Sequence, residues 1–330
     1  MIDDGHIHVV DYPGPVEIYK DLEVGRIEAA FLDVPMAVFY AGPNPKLENT
    51  GSPVGENPYA GGLRKDSPIL HKKINQALDE LWKSGELKRI YKKWNIWTPS
   101  QNKLGQLLKT ETNTTGDPVS LWKFMPLLFK GALTTIMISC LSMVLAMLVG
   151  FALCTGKLYG NAMIRFLSSA YIELFRGTPL LIQLYLIYYG LPNIGIELNA
   201  FVAAVLGIGL NYAAYEAEIY RAGLESVPKG QEEAARSIGM TWQQSLFNIL
   251  LPQAIRTIIP PSTNDFIALF KDTSLVSIIT VVELTKVYNQ AATSSFRFLE
   301  LGLITAALYF AMSYPLALWS RRLEKRRRYA

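Results

Sequence analysis

The side chains best suited to chemistry in this chain sit where charge is expensive. Lys271 and Asp272, followed by Thr273 and Ser274, interrupt an apolar stretch from 261 to 282. A cation, a carboxylate and two hydroxyls facing a water-filled cavity suit contact with a zwitterion or a gate between subunits; a structural ion pair or helix packing would use them equally. Asn211 and Asn264 add amides that either face such a path or bond across helices. Glu173 and Arg176, and likewise Glu218 and Arg221, are spaced to pair on one helix face. No catalytic constellation accompanies them. The histidines His6, His8 and His71 all precede the apolar half, and no third ligand joins the His6/His8 pair. Along one helix Cys140 and Cys154 would stand roughly 20 Å apart, beyond disulfide reach. No Gly-x4-Gly-Lys-Ser/Thr segment cradles phosphates, so the chain itself is not expected to hydrolyse ATP.

Membrane-crossing helices must position these groups. Residues 131–156 carry no charge, a run longer than the roughly 20 residues that cross a hydrocarbon core. Residues 301–320 are also uncharged and end against a tail holding Arg321, Arg322, Lys325, Arg326, Arg327 and Arg328. Three further spans are read between them: 166–189 with a kink at Pro179, 198 to about 220, and 261–282. With five spans, the side of the 221–256 segment and the C-terminus holds twelve Lys and Arg. The opposite short loops hold only Lys286 and Arg297. That asymmetry puts the C-terminus in the cytoplasm and residues 1–127 outside. The net charge of +4 is a tail effect. A basic tail after an apolar run is a membrane anchor, and no nucleic-acid partner is expected.

Residues 1–127 hold 15 Lys/Arg against 16 Asp/Glu, the charge density of a soluble domain. Up to residue 66, short apolar runs alternate with Gly, Pro and Asn clusters such as 41–45, which predicts strands and turns. Ser67 as N-cap and Pro68 at the first helical position start a helix, with Leu70, Ile74, Leu78 and Leu81 on one apolar face. A second short helix fits Leu87 to Trp94. Residues 98–119 read as a linker, and Trp122, Phe124, Leu127 and Leu128 as an interfacial helix before the first span.

Between the third and fourth spans the sequence runs Gly230-Gln231-Glu232-Glu233-Ala234-Ala235, then Gly239, then Ile249-Leu250-Leu251-Pro252. Ala234 and Ala235 allow close packing, Gly239 can end a helix with positive φ, and Glu233 offers a carboxylate to a partner's cation. The spacing resembles the EAA loop of ABC importer permeases: Glu-Ala-Ala, three residues, Gly, nine residues, Ile-x-Leu-Pro. In that family the loop forms a coupling helix that docks on a separate ATP-binding subunit. Glu173-Leu-Phe-Arg176-Gly-Thr-Pro179, Ala213-Ala-Tyr-Glu-Ala-Glu218-Ile-Tyr-Arg221 and Lys271-Asp272-Thr273-Ser274-Leu275 resemble the polar-amino-acid branch, the histidine/glutamine/arginine type. The resemblance implies an α-helical membrane protein with five transmembrane helices, the type I importer fold. It implies coupling through Gly230, Gln231, Glu233, Ala234, Ala235, Gly239 and Pro252, and a path or gate at Asn211, Asn264, Lys271, Asp272, Thr273 and Ser274. The implied partners are the ATP-binding subunit, which carries ATP and Mg, a second permease copy or close paralogue, an amino-acid ligand and the lipid bilayer. No cofactor is expected on this chain.

The N-terminal part carries a second resemblance. Gly25-Arg26-Ile27-Glu28-Ala29-Ala30-Phe31-Leu32-Asp33, Gly62-Leu63-Arg64-Lys65-Asp66, Ile74-Asn75-Gln76-Ala77-Leu78, Gly85 and Lys93-Trp94 are similar to the second half of amino-acid solute-binding proteins. Those are two-lobed clamps in which an aspartate at the Asp33 position grips the ligand's α-amino group. The implied N-terminal fold is an α/β lobe fragment of a periplasmic-binding-protein-like domain. The clamp's first lobe has no counterpart, and no apolar leader occupies the first thirty residues, so a truncated chain or a late gene start is expected. The domain plan is then 1–97 partial solute-binding domain, 98–127 linker and interfacial helix, 128–320 permease with cytoplasmic loop 221–256, and 321–330 basic tail. A ligand-gated channel joined to a binding domain is the alternative. It predicts a re-entrant pore loop and no EAA segment.

Overall fold

The computed structural model describes residues 9–10, 12, 14–51, 59, 61–64, 66–103 and 120–328. His6, His8, Lys65 and linker residues 104–119 lie outside them, as do the side chains of the basic tail beyond Arg322. The chain divides into two compact units, 12–117 on one hand and 1–11 with 118–330 on the other.

In the first unit, α1 (Pro15–Glu23) opens on a proline, whose fixed φ suits a first turn. Its buried Asp21 accepts hydrogen bonds from Tyr12 Oη and Arg26 Nη1, both at 2.8 Å. The helix α2 (Val34–Tyr40) follows, and Tyr40 stacks on Tyr19 of α1. The strands expected before residue 66 are absent among the described residues. Residues 29–33 carry no assigned element, and no ladder partner runs beside them among the described residues; a strand exists only through paired backbone groups. The helices α3 (Pro68–Lys83) and α4 (Glu86–Lys93) occupy the expected places. Ser67 does not cap α3 with its side chain; its hydroxyl donates instead to Asp66. Leu78 and Leu81 of the apolar face are half-buried, whereas Leu70 and Ile74 stand exposed.

In the second unit, three helical segments are long and apolar enough to cross a membrane: Leu121–Tyr159, Ala200–Glu225 and Phe298–Arg322. They contain α5 (Met125–Tyr159), α8 (Ala200–Glu225) and most of α13 (Phe298–Arg328), and the uncharged runs 131–156 and 301–320 lie within the first and third. A single turn, Leu121–Lys123, precedes α5 where an interfacial helix was expected.

The other two expected spans are not continuous helices. Across 166–189, α6 (Ala162–Gly177) stops, Thr178 is extended at φ −120° and ψ 144°, and α7 (Leu180–Tyr185) restarts beyond Pro179. The cause is local: the proline ring pushes its predecessor out of the helical region. The new helix continues through a π-turn (Leu186–Gly190) and a 3-10 turn (Leu191–Ile194). Across 261–282, α11 (Leu251–Asp272) begins ten residues before the expected span and passes through Pro260 and Pro261. It then gives way to a 3-10 segment, Thr273–Ile279, ending at Thr280 with φ 68°.

The helix α8 is the hub, with α5, α6, α7 and α11 packed around it. Gly150 of α5 permits the closest approach: a Cβ there would lie 2.8 Å from Glu216 Cβ and 2.9 Å from the Ala213 carbonyl oxygen. One core groups Ile138, Leu184, Ile208 and Leu269; a second groups Cys154, Ile172, Leu246 and Ala254. A third, around Leu128, Leu284 and Leu301, brings α12 (Leu284–Ser295) against α5 and α13.

Candidate functional site

The segment after α8 builds a short helix, exposed on most of its surface. Pro228 precedes α9 (Lys229–Ser237), and the helix ends in a Schellman motif. Met240 N donates to Ala235 O at 3.1 Å, Gly239 N donates to Arg236 O at 3.0 Å, and Gly239 has φ +87°. A side chain in that conformation would be strained, which is why glycine suits the position. Of the two alanines, Ala235 is buried and Ala234 faces out. Gly230, Gln231, Glu233 and Ile238 are exposed, Ile238 to 75 %. Thr241 then caps α10 (Trp242–Ser245) with a reciprocal Thr241/Gln244 box. Pro252 sits in the first turn of α11, and Gln253 bonds back to Gln231 at 3.4 Å. The surface so formed mixes an exposed carboxylate, small residues and one large apolar side chain. It is chemically suited to a protein partner.

The candidate path residues gather near the α11 terminus, but in different settings. Lys271 is exposed and makes no ion pair among the described residues. Asp272 accepts from Tyr212 Oη of α8 at 2.8 Å. Thr273 is fully buried and donates to Phe270 O, while Ser274 is half-buried and its carbonyl accepts from Ser277. Asn264 is exposed, and its Oδ1 accepts from Ser320 of α13 at 3.3 Å.

Asn211 belongs to a different network, the seal of the α6/α7 break. Its Nδ2 donates to Phe175 O at 3.2 Å and Gln183 Oε1 at 3.0 Å. Gln183 Nε2 donates to Phe175 O, Thr178 O and Thr178 Oγ1 at 3.0, 3.2 and 2.7 Å. A carbonyl released by a break in the bilayer must find a donor within the protein, and these two amides supply it. Sequence reasoning missed Gln183, though a glutamine four residues after a helix-breaking proline in an apolar run was the available signal.

Two buried acids were also missed. Glu283 is fully buried and caps α12, accepting from Lys286 N and Thr285 N, each at 2.8 Å, from Tyr309 Oη at 3.0 Å and from Thr135 Oγ1 at 3.4 Å. Glu216 is fully buried and accepts from Ser262 Oγ at 2.8 Å. The expected pair Glu173/Arg176 does not form; both are exposed, and Arg176 lies over the Tyr215 ring at 5.7 Å. The pair Glu218/Arg221 does form, at 2.8 Å.

In the first unit, Asp33 stands at the N-cap of α2 without capping it. Its Oδ2 accepts from Tyr59 Oη at 2.7 Å, and that bond holds the Tyr59 phenol above its ordinary range. Among the described residues no group of three His, Cys, Asp or Glu could hold a metal ion.

Long apolar helices around a buried hub, helix breaks satisfied by buried amides and an exposed helix suited to a protein partner fit a transport permease. The chain belongs to the family of binding-protein-dependent transport system inner membrane components, which matches residues 142–329. Residues 7–96 match a second family, the bacterial extracellular solute-binding proteins, family 3. The L-cystine transport system permease protein TcyB of Bacillus subtilis is 40 % identical over 204 residues, 62 % of this chain and 87 % of that protein. The glutamine transport system permease protein GlnP of Escherichia coli is 34 % identical over 209 residues, 63 % of this chain and 95 % of that protein. The crystal structure of an amino acid ABC transporter with histidines aligns at a TM-score of 0.59 and 38 % identity, over 64 % of this chain and all of that one.

Proposed function

We propose that this chain forms the translocation path of an ATP-driven importer for polar amino acids, pairing with a second permease copy and with a separate ATP-binding subunit. The observation that carries the reading is α9. It is a helix exposed along Gln231, Glu233 and Ala234, closed by Gly239 at φ +87°, and anchored through buried Ala235. It is suited to dock in a groove of the ATP-binding subunit with Gly230, Gln231, Glu233 and Ala234 outward, while Ala235, Gly239 and Pro252 fix its geometry. ATP and Mg reside on that partner. The names of the relatives, which include cystine and glutamine permeases, support an amino acid as cargo.

In this reading α5, α6 with α7, α8, α11 with its 3-10 extension, and α13 make five crossings. The basic tail and α9 lie on the cytoplasmic side, and residues 1–97 lie outside. Asn264 and Lys271, exposed one above the other at a seven-residue spacing on α11, and Asp272 with Ser274, face the path. Thr273 and Asn211 hold its wall. Asp33, already bonded to a phenol, is the acceptor offered to a ligand ammonium in the solute-binding part.

The test is uptake of labelled amino acids into proteoliposomes containing this chain and its ATP-binding subunit, with Glu233→Lys as the variant. ATP-dependent uptake in the parent, lost with partner copurification in the variant, is the expected result. Uptake indifferent to both ATP and Glu233 would overturn the reading.

A further inference from the structure

A chain of four charges closes the foot of the helix pair α5/α8. Glu218 uses both carboxylate oxygens: Oε1 accepts from Lys157 Nζ of α5 at 2.7 Å, and Oε2 accepts from Arg221 Nη2 and Nε at 2.8 and 3.1 Å. Arg221 Nη1 reaches on to Glu225 Oε2 at 2.6 Å. Lys157 lies in the last turn of α5, and Glu225 is the final residue of α8. Only Ser226, Val227 and Pro228 separate Glu225 from α9. That connector is stiff: Ser226 Oγ bonds Gly223 O at 2.7 Å, Val227 is buried, and Pro228 has φ −57°. A displacement of α9 therefore reaches the last turn of α8 with little slack.

The apolar packing of α5 on α8 already holds these helices together, so the ions are not required for association. What they add is direction. With Glu218 and Lys157 side chains only 19 % and 24 % exposed, the pair is better insulated than a surface ion pair, and it opposes sliding or rotation of the two helix ends. The contact of α8 with α11 at the same level packs Gly223 against Ile258 beside a 3.4 Å hydrogen bond from Ser226 Oγ to Thr257 Oγ1, and holds no ion pair among the described residues.

We propose that Glu218 is a positioning residue that locks α5 to the last turn of α8, so that work done on α9 moves the two helices together. This rests on the importer reading above. The experiment measures uptake and ATP hydrolysis in the same proteoliposomes, with the ATP-binding subunit present. Glu218→Gln should leave partner copurification and ATP hydrolysis near parental levels while uptake per ATP falls about tenfold, within the usual span of a coupling free energy. Lys157→Met should reproduce the defect, the double variant should be no worse than either single one, and Lys157→Arg should restore coupling. If Glu218→Gln does not accumulate, Lys157→Met carries the test alone. An unchanged ratio of uptake to hydrolysis in these variants would overturn the proposal. So would loss of copurification and hydrolysis together, which marks a folding role. A parent without ATP-driven uptake would overturn the importer reading first and this proposal with it.

Discussion

Removing the Glu283 carboxylate is the sharpest perturbation of the fold. Glu283→Ala deletes four accepted hydrogen bonds at a residue with no solvent exposure. Two of the donors keep other partners: Tyr309 Oη stays bonded to Thr285 Oγ1 at 2.9 Å, and Thr135 Oγ1 to Gly131 O at 3.1 Å. The backbone N–H groups of Thr285 and Lys286 lose the carboxylate that caps them, and each acceptor lost from a buried donor costs about 1–3 kcal/mol. Relief of the carboxylate's own desolvation offsets part of that, so the expected loss is about 3 kcal/mol. Glu283→Gln keeps one acceptor oxygen and should cost about half as much. Tyr309→Phe, which removes one donor and leaves the cap intact, should cost about 1 kcal/mol. Thermal unfolding in detergent reads the order, at about 2–4 °C per kcal/mol for a chain of this class. A Tm for Glu283→Ala within 2 °C of the parent, or a glutamine variant less stable than the alanine one, would refute the assignment of Glu283 as the tie between α5, α12 and α13.

Two further substitutions test glycines, one at a positive φ and one at a close helix approach. Gly239→Val forces a β-branched residue to φ +87° and should cost roughly 1–2 kcal/mol, read as weaker copurification of the ATP-binding subunit with little change in membrane insertion. Gly150→Leu drives a side chain into Glu216 and the Ala213 carbonyl. It should lower Tm by the equivalent of about 1–3 kcal/mol, with Gly150→Ala milder; equal Tm values for all three chains would contradict the α5/α8 contact.

What could be read from the sequence follows the range of the forces involved. The α9 segment was legible because its devices are local: a proline before, alanines within, and a glycine that adopts the expected positive φ. The break at Pro179 was half legible. A proline there predicts an interruption, but only the fold decides whether the result is a kink or two helices. Strands before residue 66 were inferred from alternation alone, and alternation without a neighbouring strand makes no ladder. Spacing proved insufficient for ion pairs: Glu218 and Arg221 meet, while Glu173 and Arg176 at the same interval do not. Glu283 was illegible because the partner that identifies it, Thr135, lies 148 residues away.

The two interrupted spans are also partners. Tyr188 and Tyr189 stand on the π-turn that follows the Pro179 break. Tyr188 Oη meets Thr280 Oγ1 at 3.2 Å, and Tyr189 Oη donates to Ile278 O at 3.3 Å, at the end of the 3-10 segment that follows α11. Each irregular stretch thus supplies polar groups to the other. Irregular backbone at membrane depth survives only where protein or a cavity satisfies it, and here side-chain bonds join the two stretches directly. A hydropathy scan sees two weak spans with misplaced polar residues. The same polar residues join the two stretches through side-chain bonds, which a scan along one segment at a time does not register.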